Sequence, residues 1–221
     1  IRRHIGNDVP ILGFAGAPFT MAAYLVEGKM SKNLQHIKSF LYSEPDALKS
    51  LLEKITETVI GYLKIQVQAG ADAVQIFDTW GGSLTQADYQ EFALPFQQRV
   101  IEEIAADGTP VTLYVNGSTP YLKAMKESGA TALSVDWRVD LNGVAQIVGK
   151  KAVLQGNLDP TLLFANAEIV YTKTKDMLSN INRKEGYIAN LGHGVLPGTP
   201  VESVKAFVEA VKDDVCHCST A

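Results

Sequence analysis

The stretch Asn190-Leu-Gly-His193-Gly194 directly follows a short apolar run, Gly186-Tyr-Ile-Ala189. A run of this kind predicts a buried strand, and the glycine-flanked histidine then lies just past the carboxyl end of that strand. In parallel α/β folds, ligands bind at the carboxyl ends of the strands. The stretch therefore predicts a parallel sheet, with His193 at the edge of the sheet where ligands bind.

Two upstream segments repeat this arrangement of an apolar run followed by small and polar residues. Leu12-Gly-Phe-Ala-Gly16-Ala-Pro18 follows Val9-Pro-Ile11, and Phe77-Asp78-Thr79-Trp80-Gly81-Gly82 follows Ala73-Val-Gln-Ile76. The carboxyl ends of parallel strands lie at one edge of a sheet, so the three segments predict a single shared pocket.

Strand-like and helix-like patterns alternate along the chain. Apolar runs predict six strands, at 9–14, 72–78, 110–115, 131–135, 151–155 and 186–190. Helical periodicity fills the intervals, at 18–26, 31–42, 46–69, 86–106, 119–128, 140–149, 164–181 and 200–213. Such alternation favours parallel pairing with right-handed crossovers, and the mostly apolar strands indicate burial on both faces.

The pattern favours a single domain over residues 1–221, in the α/β class, with the topology of a (β/α)8 TIM-type barrel. A complete barrel has eight strands, and six are predicted, so we expect the first one or two βα units to be missing. An open six-stranded sheet is the alternative, but it usually carries a Gly-x-Gly-x-x-Gly turn after its first strand. Gly13-Phe-Ala-Gly16 lacks that spacing.

Composition narrows the functional classes. The 221 residues are 46% hydrophobic, and no apolar run approaches the ~20 residues that cross a bilayer. A net charge of −4 argues against non-specific nucleic-acid binding, which needs a basic surface. Cys216, His217 and Cys218 are a possible metal-ligand set, but a terminal tail without a fourth ligand more often frays, so no metal is expected.

Six motifs, taken in chain order, resemble one family. They are Gly13-Phe-Ala-Gly-Ala-Pro18-Phe-Thr with Tyr24-Leu-Val-Glu-Gly28, Gln66-Val-Gln-Ala-Gly70-Ala, Ile76-Phe-Asp-Thr-Trp-Gly-Gly82, Asp136-Trp137, Leu154-Gln-Gly-Asn-Leu-Asp-Pro160 and Asn190-Leu-Gly-His-Gly194. Each motif is weak alone, but together they resemble the uroporphyrinogen decarboxylases over residues 9–212. By this resemblance the chain is the C-terminal two-thirds of such a barrel.

The resemblance implies a homodimeric (β/α)8 barrel of haem and chlorophyll biosynthesis, in the cytoplasm or, in plants and algae, the plastid stroma. Members of the family remove the four acetate carboxyl groups of uroporphyrinogen III to give coproporphyrinogen III. They use no metal and no organic cofactor. The implied partner is therefore uroporphyrinogen, an octacarboxylate, with no nucleic acid and no membrane span.

The resemblance also implies roles for four residues. Tyr24 would be catalytic and substrate-binding, with a hydroxyl that orients an acetate or relays a proton. Thr79 and His193 would bind substrate carboxylates, and Phe77 would form an apolar wall against the tetrapyrrole. From the residues alone, Tyr24 also fits a packing role, and Thr79 also fits a helix or turn cap.

Three aspartates near strand ends are expected to support the site rather than contact substrate. Asp78 is expected to hold Tyr24 or a backbone amide. Asp136 and Asp159 are expected to cap helices or stabilise turns.

The fragment is net acidic, and few basic residues lie near the predicted pocket that would have to bind a polycarboxylate. The family's catalytic aspartate and its arginine-rich loop lie in an N-terminal region that has no counterpart here. Lys29 and Lys32 are candidates for the pocket rim, but they do not replace a fixed arginine pair. We therefore expect the parent protein to be a decarboxylase and these 221 residues to be inactive alone.

Two other functions remain open. A related barrel, that of the corrinoid or thiol methyltransferases, binds zinc through a His-x-Cys pair on a middle strand and a later Cys. The corresponding strand here reads Thr112-Leu-Tyr-Val-Asn-Gly117 and has neither His nor Cys. The second alternative is a non-catalytic relative that binds tetrapyrrole without converting it.

Overall fold

Six β-strands alternate with helices along the chain, as the sequence predicts. The computed structural model describes residues 1–28, 33–149, 152–182 and 185–218, with side chains up to residue 214. The strands are β1 Leu12–Gly16, β2 Ala73–Asp78, β3 Val111–Val115, β4 Ala132–Val135, β5 Val153–Leu158 and β6 Tyr187–Leu191. They follow chain order in one sheet, which confirms the α/β class and the six predicted strands.

Ten α-helices occupy the described intervals between and around the strands. They are α1 Arg2–Ile5, α2 Pro18–Glu27, α3 Gln35–Ser43, α4 Pro45–Gln68, α5 Gln86–Phe92, α6 Leu94–Ala105, α7 Leu122–Glu127, α8 Leu141–Val148, α9 Ala167–Ser179 and α10 Val201–Cys218. Short 3₁₀ turns span Gly81–Ser83, Thr119–Tyr121 and Pro160–Phe164. Each predicted helix has a counterpart within these elements.

The chain divides into two compact units, Ile1–Leu133 and Ser134–Ala221. In the first unit, β1 pairs with β2 and β2 with β3, all in parallel. In the second unit, β5 and β6 pair in parallel, with Gly156 opposite Ala189. The single domain expected from the sequence stays a prediction.

Helix α4 provides much of the first unit's core, and its ends follow the sequence signals. Pro45 occupies its first turn, where a missing N–H costs nothing, and Gly70 follows it with φ of 100°. Its apolar stripe is buried, and Leu48, Leu52 and Leu63 are fully enclosed. Burying side chains of this kind contributes roughly 1.5–3 kcal/mol each.

The predicted helix over 86–106 is interrupted, which the periodicity did not reveal. The structure has two helices, α5 and α6, separated at Ala93. Pro95 lies in the first turn of α6 and has no N–H to continue the hydrogen-bond ladder of α5. The apolar stripe continues through the interruption, so periodicity alone reads the two helices as one.

Strand β5 extends beyond its prediction of 151–155 and ends at Leu158. The added part contains Asn157, a residue that seldom occupies a buried strand. Its side-chain Nδ2 donates to the carbonyl oxygens of Asp136, at 2.9 Å, and Val139, at 2.8 Å. These bonds offset the cost of burying the amide and allow the strand to continue.

The second unit has a core of its own. It is built by Leu158 and Leu191 at the ends of their strands, with Leu163, Val170 and Ala206 from the helical layer. Among the described residues, no helix combines the length and apolar character that a membrane span requires.

Candidate active site

The strands of the first unit end at a common edge. Gly16 lies opposite Phe77, and Phe77 lies opposite Tyr114, so the three strands are in register where they finish. The N–H of Ala17 donates to the carbonyl of Phe77 at 2.9 Å and holds the start of α2 against the end of β2. This edge carries Tyr24, Phe77 and Thr79.

Asp78 is fully buried at the end of β2, and neutral groups surround its carboxylate. Oδ1 accepts from Thr20 Oγ1 at 2.6 Å and from the Gly81 N–H at 2.9 Å, and Oδ2 accepts from Gln97 Nε2 at 2.5 Å. Burial raises the pKa of Asp78, and the three hydrogen bonds oppose that rise. The expectation that Asp78 holds a backbone amide is confirmed at Gly81.

The buried network extends from Asp78 into the helical layer. Tyr89 OH donates to Gln97 Oε1 at 2.8 Å, and the Tyr89 ring stacks on Tyr121 with centroids 4.5 Å apart. Tyr121 in turn donates to the Leu84 carbonyl. The 79–84 turn is therefore fixed from both sides by hydrogen bonds to buried side chains.

Thr20 connects this network to Tyr24. Its hydroxyl donates to Asp78 and also accepts from the N–H of Trp80 at 3.0 Å. Tyr24 lies one helical turn beyond Thr20 on α2, and its ring meets Trp80 edge-on with centroids 6.2 Å apart. Tyr24 is 44% exposed, so part of its surface faces solvent although its ring contacts Trp80.

Phe77 and Thr79 flank Asp78 and are both partly buried. The Phe77 ring lies between Phe14 and Tyr114, at centroid distances of 6.3 and 5.7 Å. Within the described residues, the Thr79 hydroxyl makes no hydrogen bond, and it does not cap the 3₁₀ turn that follows. The alternative reading of Thr79 as a cap is therefore wrong.

Two glycines are required in the turn after β2. A Cβ at Gly81 would meet the Asp78 carboxylate, and a Cβ at Gly82 would overlap the Asn116 carbonyl. The Trp-Gly-Gly motif therefore needs both glycines, because the turn passes directly over Asp78 and the end of β3.

In the second unit, His193 follows β6 and is exposed. Its Nδ1 accepts from the Gly194 N–H at 2.8 Å. With Nδ1 as an acceptor, the N–H of a neutral imidazole is at Nε2. The preceding residue, Gly192, donates its N–H to the Leu158 carbonyl at 2.7 Å, and a Cβ there would overlap the Trp137 backbone.

A second buried aspartate, Asp136, lies just after β4. Its Oδ1 accepts from the Arg138 N–H at 2.9 Å and pairs with Arg138 Nε at 3.2 Å. The Arg138 guanidinium also lies over the Trp137 ring, 4.5 Å from its centroid. The predicted turn role of Asp136 is confirmed, as is that of Asp159, which accepts from the Thr161 N–H at 2.8 Å.

Arg138 is a cation at a strand end that is not among the residues predicted from the sequence. It directly follows the Asp-Trp pair, whereas the predicted rim cations are Lys29 and Lys32. Those two lysines lie outside the described residues.

The side chains of the possible metal-ligand set, Cys216, His217 and Cys218, also lie outside the described residues. Among the described side chains, no group of three or more His, Cys, Asp or Glu residues is placed to hold a metal ion.

Known proteins resemble this chain over nearly its whole length. The model of the uroporphyrinogen decarboxylase family, URO-D, matches residues 1–213. Uroporphyrinogen decarboxylases of Synechocystis sp. and Serratia proteamaculans are 44% and 42% identical to it over 215 residues. Each match covers 96% of this chain and 61% of the relative, so the chain spans about 61% of their length.

A solved structure, named a methyltransferase from Methanosarcina mazei, has a similar fold. It superposes with a TM-score of 0.85 at 27% identity, covering 97% of this chain and 62% of the other.

Proposed function

The chain belongs to the uroporphyrinogen decarboxylase family, and on that premise we propose that the protein acts in tetrapyrrole biosynthesis. The proposed reaction removes the four acetate carboxyl groups of uroporphyrinogen III and yields coproporphyrinogen III. The observation that carries the proposal is the family match over residues 1–213, with 42–44% identity to named decarboxylases. The enzyme class is that of a carboxy-lyase.

The chemistry sets what such a site must supply. A pyrrole acetate loses CO2 slowly because the departing electron pair has no acceptor. Protonation of the pyrrole carbon that bears the acetate gives a cationic ring, which accepts the pair. The reaction then requires a proton donor, an anion that stabilises the cationic ring and groups that hold the remaining carboxylates. The substrate supplies its own electron sink, so the proposal needs no cofactor.

Tyr24 is the proposed catalytic residue of this chain. Its hydroxyl would orient an acetate or relay a proton to the pyrrole. The anchoring of α2 through Thr20 and the edge contact with Trp80 support this role. A ring fixed in this way loses little conformational freedom when substrate binds.

Thr79, His193 and Phe77 are the proposed substrate-binding residues. A short hydroxyl without a protein partner among the described residues suits a carboxylate, which favours Thr79 as a donor. His193 would donate from Nε2 to another carboxylate, and Phe77, within its row of aromatic rings, would face the tetrapyrrole. We extend the proposal to a homodimer in the cytoplasm or, in a plant or alga, the plastid stroma.

An anaerobic assay with uroporphyrinogen III tests the proposal, with carboxyl loss followed by chromatography of the oxidised porphyrins. Two proteins are compared: the 221-residue chain, and a chimera that adds the part of the Synechocystis relative that this chain does not match. We expect coproporphyrin from the chimera and none from the chain alone. Loss of activity in Tyr24→Phe, with Tyr42→Phe unaffected, would assign the role to Tyr24.

Tyr42 is a suitable control because it is an exposed tyrosine on α3 whose hydroxyl contacts Asp88. If neither protein removes a carboxyl group while the relative itself does, the proposed reaction is wrong. Turnover by the chain alone would show that the expected dependence on further sequence is wrong.

Methyl transfer is the second candidate, favoured by the likeness to the Methanosarcina mazei protein. Zinc-dependent methyl transfer requires His and Cys ligands, and β3, Val111–Val115, contains neither. Zinc bound in stoichiometric amount by the purified chain, together with absence of carboxyl loss, would favour this candidate over decarboxylation.

A further inference from the structure

Arg138 is a guanidinium fixed in place at the carboxyl end of a strand. Its Nε pairs with the fully buried Asp136, and its plane lies over the Trp137 ring. The backbone beneath it is held as well, because Asn157 donates to the carbonyls of Asp136 and Val139. Even so, the Arg138 side chain is 49% exposed.

The turn that carries Arg138 lies against the turn that carries His193. Gly192 approaches the backbone of Asp136 and Trp137 so closely that no side chain fits at that position. Arg138 directly follows Trp137, and His193 directly follows Gly192. Two nitrogen-rich side chains therefore extend from two backbone turns in contact.

We propose that Arg138 and His193 together form a carboxylate-binding subsite. A guanidinium has five N–H donors in a planar fork that matches a carboxylate, and the Nε contact with Asp136 fixes the orientation of that fork. Stacking on Trp137 reduces the freedom that Arg138 would lose on binding. The inference rests on the proposed function, which makes the ligand one of the acetate or propionate groups of uroporphyrinogen.

The competing explanation is that Arg138 only neutralises Asp136. Asp78 shows that a strand-end aspartate of this chain can be buried on three neutral donors. Asp136 already accepts the Arg138 backbone N–H, which any residue at position 138 except proline would supply. A charged side chain there is therefore more than burial of Asp136 requires.

Binding of the oxidised, unreactive uroporphyrin III tests the subsite, with coproporphyrin III, which has half as many carboxylates, as a second probe. Dissociation constants are measured by fluorescence titration in whichever of the two proteins converts substrate. We expect Arg138→Gln to weaken uroporphyrin binding about tenfold or more, and Arg138→Lys to weaken it less. Arg99→Gln, which removes an arginine paired with Glu53 and Glu57 on the surface of α6, is the matched control and should bind as wild type.

The double variant Asp136→Asn, Arg138→Gln separates the two explanations. It leaves no buried carboxylate without a cation, so its stability should approach that of the wild type while uroporphyrin binding stays weak. Recovery of binding together with stability would show that Arg138 serves only Asp136. If Arg138→Gln alone does not fold, uroporphyrin binding by the double variant and by Arg138→Lys decides between the two explanations.

The outcomes also separate this inference from the proposed function. Wild-type turnover with unchanged binding in Arg138→Gln overturns the subsite alone. Failure of both wild-type proteins to convert uroporphyrinogen overturns the proposed function, and the subsite with it.

Discussion

Asp78 in the first unit and Asp136 in the second occupy equivalent places, at the ends of β2 and β4, and both are fully buried. Their surroundings differ. Asp78 accepts from a hydroxyl, a backbone amide and a side-chain amide, whereas Asp136 pairs with the guanidinium of Arg138. A buried carboxylate can thus be accommodated by neutral donors that hold neighbouring segments, or by a cation that itself reaches solvent.

The difference has a structural consequence. The neutral donors of Asp78 come from α2, the 79–84 turn and α6, so this carboxylate joins three elements around Tyr24 and Thr79. Asp136 accepts from the backbone N–H of Arg138 and pairs with its guanidinium, which it orients. We therefore expect Asp78 to matter more for folding and Asp136 to matter more for ligand recognition.

The largest effect is expected from removal of the Asp78 carboxylate. Asp78→Ala leaves three buried donors unsatisfied and should lower the free energy of unfolding by about 3 kcal/mol or more. Asp78→Asn keeps an acceptor for Thr20 and Gly81 and should cost less. Urea denaturation of both variants measures the difference. A wild-type midpoint for Asp78→Ala would contradict the proposed joining role.

A smaller loss is expected when the cation of the second pair is removed. Arg138→Gln leaves the buried Asp136 without the guanidinium that pairs with it, which should cost about 1–2 kcal/mol because the arginine is itself half exposed. Asp136→Asn in the same chain should recover most of that loss in urea denaturation. Equal stabilities of the single and double variants would show that the unpaired Asp136 carboxylate is not the cause of the loss.

The stability of the protein should also depend on pH through Asp78. The pKa of Asp78 is raised above 3.8, so between 3.8 and the raised value the folded state binds more protons than the unfolded state. The stability contributed by Asp78 therefore falls as pH rises through that window. The unfolding free energy of Asp78→Asn relative to wild type should accordingly increase with pH in denaturation series from pH 4 upward. A constant difference would contradict the raised pKa.

The smallest effect is expected from an ion pair on the surface. Arg99 pairs with Glu53 and Glu57 of α4, but its side chain is 42% exposed. Arg99→Gln should change the free energy of unfolding by at most about 1 kcal/mol, and less in high salt. A loss as large as that of Arg138→Gln would remove the distinction between buried and surface pairs.

Much of the architecture was predictable from local pattern. The six strands and the long helix α4 follow from apolar runs, helical periodicity and the positions of Pro45 and Gly70. The break at Pro95 and the extension of β5 through Asn157 were not predicted. The break is caused by a proline within a continuous apolar stripe. The extension depends on hydrogen-bond partners of Asn157 that are distant in sequence.

The candidate site was predicted less completely. Motif resemblance predicts Tyr24, Phe77, Thr79 and His193 as site residues, and strand-end position singles out Asp78. Neither indicated that Thr20 would bridge Asp78 to Trp80. Thr20 is about 60 positions from both residues along the chain and contacts them only because α2 packs against the end of β2. Nor did either distinguish Arg138 from other surface cations.

The sequence by itself determined the order of strands and helices and the family. These follow from hydrophobic periodicity and from short motifs, which are local properties of a chain. The tertiary structure alone decided which donors reach each buried carboxylate. A hydrogen bond requires its two atoms within about 3 Å, and residues distant along the chain meet that condition only when the packing of whole elements brings them together.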